Sequence, residues 1–253
     1  MQGYRTPLLG NLPPVIKNLL IINILFFLAD FVISSKTGID IGKWLALHNF
    51  QSVNFSPIQL VTYMFMHGNL THIFFNMFAL VMFGRVLEQV WGGKRFYIYY
   101  FVTGIGAALC QLCVLSIETH SVMSSISPEL VEHVMREGYD ALMQGQNYVD
   151  PNLRKLNLLL NTPTVGASGA VFGVLLAFGM MFPNVQLMLI FPPIPIKAKW
   201  FVLAYGLIEL FAIIVPSAND NVAHFAHLGG MLFGFLLIKY WNKKIDTNRD
   251  IYF

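Results

Sequence analysis

Charge is what this sequence has least of. Asp, Glu, Lys and Arg make up 11% of its 253 residues, and 56% are apolar; an average soluble domain carries about 25% charged residues. That excludes a chain that folds in water around amphipathic segments. Cysteine is nearly absent. Cys110 and Cys113 form a CxxC, but inside the apolar run Phe96–Ile117, where thiols lack the access and partners that redox or metal chemistry needs. They are expected to be buried packing residues. No H-E-x-x-H offers a zinc peptidase site, and no internal repeat supports an inverted-repeat transporter. Ala170 stands where the G-x-S-x-G elbow of a soluble α/β-hydrolase requires glycine, which removes that fold as well.

What the chain does have is long apolar runs. Ile16–Ile33, Leu60–Phe83, Phe96–Ile117, Val165–Phe182, Trp200–Val215 and Val222–Trp241 are each about long enough to cross a bilayer core as helices. The reading is an all-α, polytopic membrane protein, a bundle of six transmembrane helices forming a single domain over residues 1–253. It has an N-terminal segment (1–14), an extended external loop (118–162) and a cytoplasmic tail (242–253). Proline falls at the boundaries: Pro13 and Pro14, Pro57, Pro163, Pro183, Pro192, Pro193, Pro195 and Pro216. None sits deep in a span, where it would free backbone groups that lipid cannot satisfy. The first run follows Arg5 and Lys17 but lacks a small-residue cleavage site, so it reads as an uncleaved span.

The net charge of +3 reads as topology. With a cytoplasmic N-terminus, the inner side receives Arg5, Lys17, Arg85, Lys94, Arg95, Lys197, Lys199, Lys239, Lys243, Lys244 and Arg249. The outer side receives Lys36, Lys43, Arg136, Arg154 and Lys155, so the 16 basic residues divide 11 to 5. That is the direction of the positive-inside bias. The expected location is the cell (plasma or inner) membrane, with both termini cytoplasmic. No nucleic-acid footprint is left over.

The external loop is acidic. Within it Ser127-Pro128-Glu129 marks a helix start, with a capping hydroxyl before proline. Leu130, Val131, Val134, Met135, Leu142 and Met143 follow at helical spacing and predict an amphipathic surface helix. Trp44 and Phe50 in the loop 34–56 predict a second interfacial element.

Polar groups inside a membrane are costly and are usually functional or paired. His67, His72 and Asn76 lie in the second run, Ser168 in the fourth, Glu209 in the fifth, and His224 and His227 in the sixth. The second, fourth and sixth runs all pass from outside to inside, so His72, Asn76, Ser168 and His227 share the outer half of the bilayer. His72 and Asn76 occupy one helix face, as do His227, Gly230 and Gly234. Gly169 and Gly173 beside Ser168 form a small-xxx-small run that lets helices approach closely. Packing of the fourth run on the sixth would bring the serine hydroxyl to an imidazole. Ser168 also falls in the first turn after Pro163, where unpaired N–H groups suit a developing oxyanion. These residues suggest a serine hydrolase with His227 as base, its active site toward the outer face.

The sequence resembles the rhomboid family of intramembrane serine proteases. GxSx is present as Gly166-Ala167-Ser168-Gly169, and AHxxGxxxG as Ala226-His227 through Gly230 to Gly234. HxxxxHxxxN is present as His67, His72 and Asn76, and a glycine-glutamate-glycine signature as Gly84, Glu88 and Gly92. The resemblance implies a Ser168–His227 dyad without an acidic third member. It further implies an oxyanion hole of His72, Asn76 and the Ser168 amide, and a structural role for His67. Gly166, Gly169, Phe172, Gly230 and Gly234 would support the site. The expected substrates are single-span membrane proteins cut near the outer boundary after a small residue, with no cofactor and no metal. Two departures stand out. Phe172 replaces the tyrosine that many relatives stack on the catalytic histidine, and the first external loop lacks their Trp-Arg pair. The resemblance assigns nothing to Glu209 or His224; Glu209 is expected to pair across helices. The rival readings are a catalytically inactive, client-binding relative, a metal-dependent protease using His72, His224 and His227, and a transporter coupled through Glu209.

Overall fold

The computed structural model describes residues 12–188, 193–215 and 222–249. Arg5, Pro192 and Pro216 lie outside the described residues, as do the side chains of Lys243, Lys244 and Arg249. The helices are α1 (Pro14–Thr37), α2 (Gly42–Leu45), α3 (Gln59–Thr62), α4 (Leu70–Ala79), α5 (Arg85–Trp91), α6 (Gly93–Met123), α7 (Pro128–Met143), α8 (Pro151–Asn161), α9 (Ser168–Met181), α10 (Ala198–Ile214) and α11 (His224–Arg249). A two-stranded hairpin, β1 (Gln186–Met188) and β2 (Pro195–Lys197), joins α9 to α10. The segments 14–37, 70–91 and 93–123 are long and apolar enough to cross a membrane. Large apolar side chains lie exposed along the helices, among them Phe31, Phe74, Phe75, Leu207 and Phe211. A belt of this kind belongs against lipid, and the chain is a multi-pass helical membrane protein.

The start of α1 shows how buried backbone is kept satisfied. Pro14, at the first helical position, has no N–H. Val15 and Ile16 donate theirs to Oε1 and Oε2 of Glu88 at 2.9 and 2.8 Å, and Lys17 donates to the Pro13 carbonyl at 3.0 Å. All of the first-turn donors are thereby paired. Gly84 lets Ile16 approach, since a Cβ there would stand 2.6 Å from Ile16 Cδ1. Gly92 turns the chain into α6 at φ 78°. The glycine-glutamate-glycine signature is therefore an anchor for the first helix. Between α4 and α5 the chain passes through a π-helical turn, Leu80–Gly84. The wider turn re-phases the helix, a feature frequent near functional sites.

Three helices form the centre. A Cβ on Gly230 of α11 would lie 1.9 Å from the carbonyl oxygen of Gly169, so α9 and α11 touch backbone to backbone. Gly106 accommodates the Phe233 ring and Gly229 sits on Cys110, which ties α6 to α11. Gly173 and Gly234 both face α6, at Thr103 and Tyr99. Tyr99 donates its hydroxyl to the Gly173 carbonyl at 2.8 Å.

Several boundaries differ from expectation. The second span begins at Leu70, not Leu60: Gln59–Phe65 make one α turn and one 3-10 turn, buried against α6 through Tyr63, whose hydroxyl donates to the Gly104 carbonyl at 2.7 Å. The fourth span begins at Ser168, not Val165. The loop 118–162 holds two helices where one was expected. Val134 of α7 packs on Leu156 and Leu160 of α8, and α8 opens on an Asp150 side chain that accepts from the amides of Asn152 and Leu153. Ser127 precedes α7, but its hydroxyl makes no cap bond. Trp44 and Phe50 are exposed. Cys110 is only partly buried and Cys113 is exposed, contrary to the expectation of two buried thiols.

Candidate active site

The segment before α9 is pinned on both sides. Leu47 and Thr164 exchange backbone hydrogen bonds at 2.9 and 2.8 Å, and Gly166 N–H donates to the Tyr63 carbonyl at 2.9 Å. Gly166 has φ 120°, a region that favours glycine. A Cβ there would also lie 2.7 Å from the His72 imidazole and 3.7 Å from Ser168 Oγ. Only glycine lets the loop pass that close. Ser168 is then the first residue of α9, with free N–H groups and the positive helix end at its back.

His227 reaches it from α11. Its Nε2 lies 2.8 Å from Ser168 Oγ, and the side chain is largely buried, with 8% of the residue exposed. Phe172, one turn along α9, stacks on the imidazole with centroids 4.1 Å apart and planes 9° apart. The ring–ring contact forms with phenylalanine in place of tyrosine.

His72, near the start of α4, stands beside Gly166. Asn76 is one turn further, 5% exposed, and donates Nδ2–H to the His72 carbonyl at 3.1 Å. That bond uses one of its two amide protons. His67 is buried edge-on to His72, with ring centroids 5.1 Å apart. Among the described residues neither of its ring nitrogens makes a hydrogen bond. Gly169 and Gly230 are the contact that lets α9 and α11 meet, whereas Gly234 serves α6.

Glu209 is the residue that motif reading left without a place. It projects from α10 to α11, with Oε2 2.5 Å from His224 Nδ1 and 3.0 Å from His227 Nδ1. The second contact meets the distance of a hydrogen bond but not its alignment. The available signal was a carboxylate in an apolar run together with the i, i+3 spacing of His224 and His227.

Fold and site together define a helical membrane protein with a paired serine and histidine where α9 begins beside α11. The Rhomboid domain model matches residues 54–243, and the chain belongs to the rhomboid family. It is 26% identical over 195 residues to Rhomboid protein 1, mitochondrial, of Saccharomyces cerevisiae, covering 77% of this chain and 45% of that protein. It is 28% identical over 186 residues to RHOMBOID-like protein 12, mitochondrial, of Arabidopsis thaliana, covering 74% and 46%. Rhomboid protease AarA of Providencia stuartii is 26% identical over 175 residues, covering 69% and 52%. The chain spans about half the length of these curated relatives.

Proposed function

We propose that this protein is an intramembrane serine endopeptidase that cleaves single-span membrane proteins near their outer boundary. The observation that carries the reading is the 2.8 Å contact between Ser168 Oγ and His227 Nε2 at the N-terminus of a buried helix. Membership of a family that includes a named protease supports it.

The chemistry follows from that contact. Ser168 Oγ attacks the scissile carbonyl carbon and its proton passes to His227 Nε2. The carbonyl oxygen becomes an oxyanion, held by the Ser168 amide at the helix start and by His72 and Asn76. Collapse breaks the C–N bond, His227 returns the proton to the leaving amine, and an acyl-enzyme remains. Water then attacks the ester, giving its proton to His227. The second collapse releases the new carboxyl end and restores the serine hydroxyl. Neither a cofactor nor a metal enters this scheme.

Helix length supports the depth of the cut. With 14 residues, α9 is about 21 Å long at 1.5 Å per residue, against a hydrocarbon core of about 30 Å. If its last turn meets the inner boundary, Ser168 lies roughly 10 Å below the outer one. A peptide bond there has to leave its helix to be cut. Small residues before it fit a site walled by Gly166, His72 and the α9 backbone. The plasma or inner membrane, with both termini inside, is the proposed setting.

A fluorophosphonate tests the reading. The purified protein should take up one label, located on Ser168 by mass spectrometry, and Ser168→Ala should take up none. Folded wild-type protein that resists the label and leaves a transmembrane reporter uncut would overturn it.

A further inference from the structure

We propose that Glu209 is a third, positioning member of the catalytic unit, holding His227 by its Nδ1 so that Nε2 faces the serine. The inference rests on the serine-peptidase reading above, and it departs from a dyad that works without an acid.

The placement of Glu209 follows from the rest of α10. Its buried positions are Ala198, Val202 and Glu209, a single stripe at helical spacing. Val202 packs on Gly179 of α9, and Gly206, within the stripe, lies nearest Met231 of α11. The opposite face, with Leu203, Leu207, Leu210, Phe211 and Ile214, is exposed. The seating of the helix therefore aims Glu209 inward at α11, and no other rotation buries the stripe. A carboxylate at this depth is costly unless it is paired. It accepts at Oε2 from His224 Nδ1 at 2.5 Å and has His227 Nδ1 at 3.0 Å.

The consequence for catalysis is a matter of tautomer. A neutral imidazole carries one proton, and a base for Ser168 must keep that proton on Nδ1. A carboxylate beside Nδ1 selects that form and stabilises the imidazolium that appears when the serine proton moves. Phe172 fixes the ring plane but cannot choose between nitrogens. Hydrogen bonds of a catalytic unit are often poorly aligned without substrate and tighten when it binds. The off-axis approach of His227 to Glu209 fits such a contact.

The same three side chains form a cluster that could be imagined around a cation. The distances argue otherwise. Ligand atoms around a tetrahedral zinc at 2.0–2.2 Å lie roughly 3.3–3.6 Å apart, whereas Oε2 is 2.5 and 3.0 Å from the two imidazole nitrogens. Those are hydrogen-bond separations.

The test uses the purified full chain in detergent with a transmembrane reporter. Glu209→Gln should lower kcat by about 10²-fold or more, as loss of a tautomer-fixing carboxylate does, with KM near the wild-type value and fluorophosphonate labelling slowed in parallel. The pH–rate profile supplies a readout that a packing role would not move. The titratable side chains around His227 are Glu209 from α10, His224 from its own helix and His72 from α4. Without the carboxylate the imidazolium is less stable, so the acid limb should move to lower pH. His224→Ala removes the competing donor from Oε2, so the acid limb should move the opposite way. If Glu209→Gln does not fold, the shift in His224→Ala decides alone. Acid limbs that stay in place, or a wild-type kcat in Glu209→Gln, would overturn the proposal. Activity lost to a chelator and restored by zinc would overturn it in favour of a metal site. A wild-type enzyme that neither labels nor cleaves would instead mark failure of the serine-peptidase reading.

Discussion

Phe172 lies flat against His227, with ring centroids 4.1 Å apart and planes 9° from parallel. The contact restrains the plane of the imidazole, and it needs a flat ring more than a hydroxyl. Phe172→Tyr should keep kcat within a few-fold of wild type. Phe172→Ala frees the ring to swing, and misplacement on this scale lowers rates by about 10²-fold. Steady-state kinetics on both variants checks the pair. Equal losses in the two would mean that stacking is not what holds the base.

Ser168 Oγ and His227 Nε2 lie 2.8 Å apart, and as members of one catalytic unit they should fail together. Each single alanine variant is expected to remove cleavage of a transmembrane reporter while the protein stays folded. The double variant should cost little more than either alone, because members of a catalytic unit are not additive. Residual rates that multiply would show two independent contributions and separate the pair.

The candidate pair was legible in the sequence because it sits in short motifs whose spacing is local. Gly166-Ala167-Ser168-Gly169 and Ala226-His227 stand where the structure places the pair, and proline marked the ends of most helices. What escaped is what depends on three-dimensional seating. Tyr63–Met66 is apolar enough to extend a span, yet it is buried as a 3-10 turn and its cap against α6. Asp150-Pro151 has the form of a helix start, but the polar sequence around it reads as loop until α8 finds Val134 to pack on. Glu209 sits on a helix that is apolar nearly all round, so no periodicity reveals which way its carboxylate points. That direction is set by how Val202 meets Gly179.

Asn76 offers a separable test of oxyanion binding. One amide proton is taken by the His72 carbonyl at 3.1 Å, which leaves the other for a developing charge. Asn76→Ala should slow turnover by on the order of 10²–10³-fold, the cost of losing one such donor, with the loss in kcat. A purely structural asparagine would lower thermal stability and spare kcat. Measuring both on one preparation decides between them.

The division of basic residues, 11 inside and 5 outside, predicts the orientation. Cysteines placed at Gln2 and Asn248 should be shielded from an impermeant thiol reagent in intact cells, and one at Gln144 should react. The assay is best run with Cys110 and Cys113 replaced, since Cys113 is exposed. Labelling of the termini in sealed cells would invert the map and turn the active site toward the cytoplasm.

The Glu88 anchor predicts a defect of stability, not of chemistry. Both carboxylate oxygens are used, one for Val15 N–H and one for Ile16 N–H. Pro14 can donate nothing and Lys17 donates to the Pro13 carbonyl, so these two amides rest on Glu88 alone. Glu88→Ala strands two amides in a buried site with no other acceptor, at a cost of about 2 kcal/mol or more. Glu88→Gln retains one acceptor and turns an NH2 toward the second amide, so it should lie between alanine and wild type. Thermal denaturation in detergent should rank the three in that order. The folded fraction of each should keep a wild-type kcat, because the anchor sits at the opposite end of the second span from His72. A Glu88→Ala variant that melts with the wild type would show that α1 is held by side-chain packing alone.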